Sequence, residues 1–193
     1  MARFLTEEHR IFQDVFRRYV RSELVPHWKT WEDERRVPRS VWKDCGAQGF
    51  LCPWVSPEYG GGGADFVYSY VINLEAARAG VTLMLGLHND IVVPYLATYG
   101  NAEQRRRWLP GCVSGDLIAA VAMTEPGTGS DLQAVSTTAV RDGDDYIING
   151  QKIFISSGME CDLVIVVCRT AKNIAGRNAL SLIVVEDGTP GFI

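Results

Sequence analysis

The spacing of apolar positions changes character near residue 115. Before it, apolar side chains recur three and four residues apart, as on helices. After it, they alternate or gather into short runs, as in strands. Ile11, Val15, Phe16, Tyr19 and Val20 make one apolar face of a first helix. Thr6 is its expected cap, Glu7 and Glu8 complement the positive helix end, and Pro26 is expected to close it. Residues 27–37, rich in Lys, Glu, Asp and Arg, read as solvated surface. A short helix follows over Arg39–Gln48 and stops at Gly49. Asp65 is placed to cap a helix over Phe66–Ala79, and Gly80 ends it. A further apolar helix is expected from about Val81 to Tyr99, kinked or segmented at Pro94, which removes a donor and crowds the preceding turn. Asn101 then caps Ala102–Cys112, with Arg105, Arg106 and Arg107 in solvent.

Beyond Gly115 the expected strands are residues 117–123, Ala134–Arg141, Tyr146–Asn149, Gln151–Ser156, Leu163–Arg169 and Leu180–Glu186. Asp142–Asp145 is a turn, and Asn149-Gly150 reads as a type I′ hairpin. The fold class is therefore α+β: an all-helical domain over residues 1–115, then an antiparallel β-barrel or sandwich-like domain over 116–193.

Composition narrows the function classes. A net charge of −4 with 22% charged residues offers no basic surface for nucleic acid or anionic membrane. No run approaches the roughly 20 apolar residues of a membrane span, and MARFLTEEHR has no apolar signal core, so a cytoplasmic protein is expected. The five cysteines form no CxxC pair and His9, His27 and His88 are scattered, so no metal site is expected and the thiols should be free. His88 reads as a satisfied core or crevice histidine. The run of four glycines within residues 52–64 lacks the Lys-Ser/Thr of a phosphate loop and reads as a flexible link between helices.

Two stretches carry chemistry. Residues 121–131, VAMTEPGTGSD, turn from an apolar strand into a loop of Thr124, Glu125, Thr128, Ser130 and Asp131 around Pro126, Gly127 and Gly129. Such a loop points unpaired backbone N–H groups outward, suiting an anionic or carbonyl-rich ligand, with glycine supplying positive φ and close approach. Residues 148–158, INGQKIFISSG, bring an aromatic plate, Phe154, two residues from the Ser156 hydroxyl, on one side of the expected strand. A planar, hydrogen-bonding heterocycle requires that combination.

Met123-Thr124-Glu125-Pro126-Gly127-Thr128-Gly129-Ser130-Asp131 followed by Phe154-Ile155-Ser156 resembles the acyl-CoA dehydrogenase family, with the Phe-Ile-Ser form similar to its long-chain branch. The resemblance runs from residue 6 to residue 193. It implies an FAD enzyme that desaturates acyl-CoA thioesters between the α and β carbons, passes electrons to an electron-transferring flavoprotein and forms a homodimer or tetramer. Val121, Met123 and Thr124 would then bond the flavin pyrimidine, and Gly129 and Ser130 would face the pyrophosphate or the CoA arm, Ser130 touching substrate. Phe154 and Ile155 would lie at the isoalloxazine, Phe154 stacking on it, and Ser156 would reach its N5 region. Leu83, Leu87 and Ile91 would line the acyl chain, and Arg177 and Asn178 would meet the CoA nucleotide. Glu125 matches a structural position, and no Asp or Glu of the chain matches the family's catalytic carboxylate, which lies in a C-terminal helical domain. The rival readings are a non-catalytic flavin- or acyl-CoA-binding assembly subunit and an acyl-CoA oxidase of the same superfamily.

Overall fold

The computed structural model describes residues 4–81, 85–172 and 178–193, with the backbone alone for Lys172 and Asn178. Helix α1 (Glu7–Tyr19) starts at a capping box. The Thr6 hydroxyl accepts from the His9 N–H, and the His9 ring accepts from the Thr6 N–H. Its buried face is His9, Gln13 and Phe16, while Ile11 is 59% exposed, so the apolar stripe is rotated from the one expected.

Pro26 does not close this helix. The chain widens into a π turn, Val20–Leu24, in which the Val25 N–H bonds the Val20 carbonyl, and α2 (Val25–Glu34) continues with Pro26 in its first turn. The same device recurs at Pro94. A π turn over His88–Val92 follows α5 (Leu85–Leu87), and α6 (Val93–Tyr99) begins with Pro94 in its first turn. Proline lacks an N–H and crowds the carbonyl four residues back. An i→i+5 turn just before it starts a new helix where that donor is not needed. Helices α3 (Arg39–Ala47), α4 (Phe66–Arg78), capped by Asp65, and α7 (Ala102–Ser114), capped by Asn101, complete the helical part.

The chain divides into two compact units, Met1–Ile118 and Ala119–Ile193. In the first, Phe16, Trp42, Phe50, Ile72 and Leu85 form the core. Phe50 meets Phe16 and Phe12 edge-on at centroid distances of 4.8 and 5.7 Å. The Glu75 carboxylate, 3% exposed, is held by Gln13 at 2.7 Å, Arg17 at 2.7 Å and Arg78 at 2.9 Å. His88 is buried with Nε2 2.9 Å from the Cys112 carbonyl, and burial pushes its pKa down to about 4, so the ring is neutral. The glycine-rich link is folded rather than loose: Gly62 and Ala64 both donate to the Pro53 carbonyl and Gly63 to that of Val55. No helix among the described residues is long and apolar enough to cross a membrane.

The second unit is a mixed sheet, which corrects the antiparallel expectation. Its centre is β4 (Leu163–Lys172), whose residues Leu163–Cys168 are all buried. Strand β5 (Asn178–Glu186) pairs antiparallel along one edge of β4. The other edge is shared: β1 (Ala119–Ala122) pairs parallel with residues 163–166, and β2 (Thr138–Asp142) joins in parallel at Arg169. Strand β3 (Asp145–Asn149) pairs antiparallel with β2 through a turn containing Gly143 at φ +61°. Two strands entering one edge from the same direction make it parallel, and residues 123–137 must bridge the gap between them.

Asn149-Gly150 is not the expected hairpin turn, since Gly150 lies outside the positive-φ glycines. Its backbone presses instead on Thr137: a Cβ built there would sit 2.3 Å from Thr137 Oγ1 and 2.7 Å from its Cα. Gly150→Ala should therefore cost about 1–3 kcal/mol, the usual penalty of overpacking. Denaturant midpoints of the two proteins check this, and an unchanged midpoint would show that this contact yields freely.

Candidate functional site

The motif loop begins as a two-residue hairpin. The Glu125 N–H donates to the Thr128 carbonyl at 2.9 Å and the Thr128 N–H to the Glu125 carbonyl at 3.1 Å, with Pro126-Gly127 at the tip. Proline's fixed φ suits the first tip position. The expectation that glycine supplies positive φ here is corrected. Neither Gly127 nor Gly129 has positive φ, and a Cβ on either would meet nothing within 4 Å. Neither local geometry nor packing within the described residues requires glycine at these two positions. The Thr128 hydroxyl donates to the Ala134 carbonyl at 3.1 Å and Asp131 accepts from the Gln133 N–H at 3.2 Å, turning the chain back toward β2.

Beneath the hairpin lies Glu125, 3% exposed. Its carboxylate accepts from the Ser136 N–H at 2.8 Å, the Ser136 hydroxyl, the Thr137 N–H at 2.9 Å and Lys152 Nζ at 2.9 Å. These two N–H groups lie just before β2, so the carboxylate satisfies donors in the gap between the strands. Burial raises the Glu125 pKa, but the hydrogen bonds from the Ser136 hydroxyl and from the Ser136 and Thr137 N–H groups outweigh it and hold the carboxyl well below its ordinary range. Lys152 also donates to the Met123 carbonyl at 2.9 Å, and the Ile153 N–H donates to the Thr124 carbonyl at 3.0 Å. The two motifs are thus held side by side.

Residues 151–156 are not the expected strand. Phe154 (φ +56°) and Ser157 (φ +60°) take left-handed conformations, and the Gly158 N–H closes a turn on the Ile155 carbonyl. Strand alternation therefore does not put Phe154 and Ser156 on one side. Phe154 is 89% exposed, an unusual place and backbone for a large aromatic. Ile155 is half-buried and packs on the cluster of Ala120, Ala122, Ala139 and Val164. Val121, Met123 and Thr124 are half-buried, and Gly129, Ser130 and Ser156 are exposed. The hydroxyls of Thr124, Ser130 and Ser156 have no hydrogen-bond partner among the described residues, nor do the N–H groups of Thr124, Gly127, Gly129 and Ser130.

In the helical unit Leu87 is half-buried and Ile91 is 47% exposed. Leu83, Arg177 and the Asn178 side chain lie outside the described residues. The described residues contain no group of three or more His, Cys, Asp and Glu able to hold a metal. The five thiols are free. Sequence reasoning missed Lys152, Ser136 and Thr137. One signal was present: Lys152 is the lone charge of INGQKIFISSG, and Glu125 is the one charge in residues 121–130.

Because the folded Glu125 resists protonation more than the unfolded one, its stabilisation is full above the unfolded pKa of about 4.3, begins to fall below that value and is gone only once pH has passed through the folded carboxyl's own, much lower range. Glu125→Gln should cost about 3 kcal/mol near neutral pH, since Lys152 is left buried without its anion. In melting curves of both proteins between pH 3 and 7, the gap should be constant above about pH 5 and narrow steadily below about pH 4. A gap that stays constant with pH would refute an ionised Glu125.

Comparison with known proteins follows this division. Residues 6–116 match the acyl-CoA dehydrogenase N-terminal domain and residues 120–193 the acyl-CoA dehydrogenase middle domain. The mitochondrial long-chain specific acyl-CoA dehydrogenase of Mus musculus is 42% identical over 195 residues, covering 100% of this chain and 45% of the mouse protein. The crystal structure of an acyl-CoA dehydrogenase from Geobacillus kaustophilus superposes with a TM-score of 0.94 at 53% identity, covering 99% of this chain and 51% of that one. An acyl-CoA dehydrogenase from Bacillus anthracis, complexed with FAD, superposes at 0.88 with 30% identity, covering 99% and 33%. The chain spans about half the length of the long-chain relatives it matches. Two matched domains and 42% identity across the whole chain lead to one conclusion: the chain belongs to the acyl-CoA dehydrogenase family.

Proposed function

We propose that the two joined motifs form the flavin-holding part of an FAD-dependent acyl-CoA dehydrogenase site. The observation that carries this reading is the loop's unused surface. Thr124, Gly127, Gly129 and Ser130 offer N–H groups with no partner among the described residues, and nothing in the described residues requires glycine at two of these positions. A ligand backed onto the loop would explain both. Exposed Phe154, in a backbone conformation that costs about 1–3 kcal/mol, presents a ring with no described aromatic partner. A flat heterocycle with a phosphate tail fits hydroxyls, outward N–H groups and one aromatic plate, so the residues present suit FAD.

In this reading the Thr124 hydroxyl, with the backbone of Val121, Met123 and Thr124, bonds the pyrimidine carbonyls. Gly129 and Ser130 take the pyrophosphate or the CoA arm, Phe154 covers the ring system, and Ile155 and Ser156 border its redox end. The flavin would supply the hydride acceptor for α,β-desaturation of an acyl-CoA thioester. The chain's part is to bind, orient and exclude water. Leu87 and Ile91 are the proposed acyl-chain contacts. Glu125 is not the base that removes the α-proton: it is buried, its oxygens are occupied by donors from Ser136, Thr137 and Lys152, and it is held far below the working range of a general base. An electron-transferring flavoprotein as acceptor, assembly into a homo-oligomer, a cytoplasmic location and a helical domain over residues 1–115 followed by a β domain over 116–193 belong to the same proposal.

Titration of the chain with FAD, followed by the flavin absorbance, tests the placement. Thr124→Val should weaken binding by about 1 kcal/mol, roughly fivefold, as one unmade buried hydrogen bond. Gly129→Ala should leave the melting temperature unchanged, because its Cβ meets nothing, yet lower FAD affinity. Equal affinity in both variants would move the cofactor away from this loop.

A further inference from the structure

We infer that Lys152 is a positioning residue whose ammonium sets the orientation of the Met123–Thr124 peptide and so aims the Thr124 N–H out of the fold as a donor. This rests on the flavin reading of the loop and adds to it a residue that neither motif comparison nor exposure singles out.

In a trans peptide the C=O of one residue and the N–H of the next point in opposite directions, and the described residues contain no cis bond. Lys152 Nζ bonds the Met123 carbonyl at 2.9 Å, which turns that oxygen toward the ammonium beneath the loop. The Thr124 N–H must then point the other way. It has no partner among the described residues, whereas the carbonyl at the far side of the same residue is taken by the Ile153 N–H at 3.0 Å. The Met123–Thr124 peptide is thus tied at its carbonyl by a charge, and the peptide that follows it is tied at its carbonyl by backbone.

The ammonium can do this because it is itself fixed. Its side chain is 10% exposed, and Glu125, 3% exposed, holds it at 2.9 Å. Glu125 is in turn locked by the N–H groups of Ser136 and Thr137. A carbonyl held by a buried cation has less freedom than one held by solvent or a neutral donor, since charge-assisted bonds are shorter and roughly twice as strong. A second effect follows from the same contact. A cation on the carbonyl draws electron density along the amide, which makes the Thr124 N–H a better donor to an electron-rich ligand atom, the kind a flavin pyrimidine presents.

The test uses Lys152→Met, which keeps the stem without the donor, and Lys152→Arg, which keeps a cation able to reach both oxygens. FAD affinity is read by quenching of flavin fluorescence, and the Thr124 amide is read by ¹⁵N–¹H NMR in cofactor-free protein. Lys152→Met should shift the Thr124 amide resonance and weaken FAD binding about tenfold or more in protein that remains folded, and Lys152→Arg should restore most of both. A purely structural lysine would lower the melting temperature of Lys152→Met without changing the affinity of the folded protein, and that result overturns the inference. Should Lys152→Met fail to fold, Glu125→Gln replaces it: the ammonium stays but loses its anchor, so the same amide shift is expected, and an unmoved Thr124 resonance with unchanged affinity overturns the inference. If the parent chain binds no FAD, the flavin reading itself fails, and the inference fails with it. Flavin binding that is insensitive to Lys152 removes the inference alone.

Discussion

The bond between Glu125 and Lys152 is the constraint on which the β unit's working surface depends. Strand β4 has one long edge and two partners for it, β1 and β2, which enter from the same direction at different heights. Between them the sheet has no strand to satisfy the N–H groups of Ser136 and Thr137. The Glu125 carboxylate takes that role, and burying it requires a counter-charge, which Lys152 supplies from the neighbouring motif. Removing either charge would leave the other stranded in the interior. The loop's outward face is therefore decided by groups that lie behind it.

The helical unit repeats the device with different parts. Glu75 is also 3% exposed, and its pKa is also lowered, by the Arg17 hydrogen bond first and against the cost of burial. Gln13 and Arg17 come from α1, and Arg78 and Glu75 itself from α4, so this carboxylate fixes one helix against the other. Apolar packing around Phe50 supplies most of the burial there. The carboxylate supplies register, because its bonds are made at only one relative position of the two helices.

Much of the fold was legible because local signals and tertiary packing agree. Thr6, Asp65 and Asn101 cap helices as their side-chain chemistry dictates, and the continuous apolar run at Leu163 to Cys168 is the central strand. The misses share a cause. Pro26 reads as a stop and Asn149-Gly150 as a hairpin on local preference alone. A π turn absorbs the first, and close contact with Thr137 accounts for the second. The strand direction was missed for a related reason: alternation reports which face is buried, not the sense in which a neighbour runs. Phe154 and Ser156 stood out as residues with chemistry to offer, but the left-handed backbone at Phe154 leaves no trace in composition or period.

Lys152 shows why a site's supporting groups are harder to read than its contacts. A hydroxyl or aromatic ring in a glycine-rich loop advertises itself by residue type, while a lysine reads as solvent-exposed until its partner is known. What distinguishes Lys152 is relational. It is the only charge in its motif, it lies 27 residues from Glu125, and β2 and β3 lie between the two along the chain. The loop between β1 and β2 is thus held by a residue from beyond the β2–β3 hairpin. The Met123 carbonyl and the Glu125 carboxylate therefore share one ammonium that the motif itself does not supply.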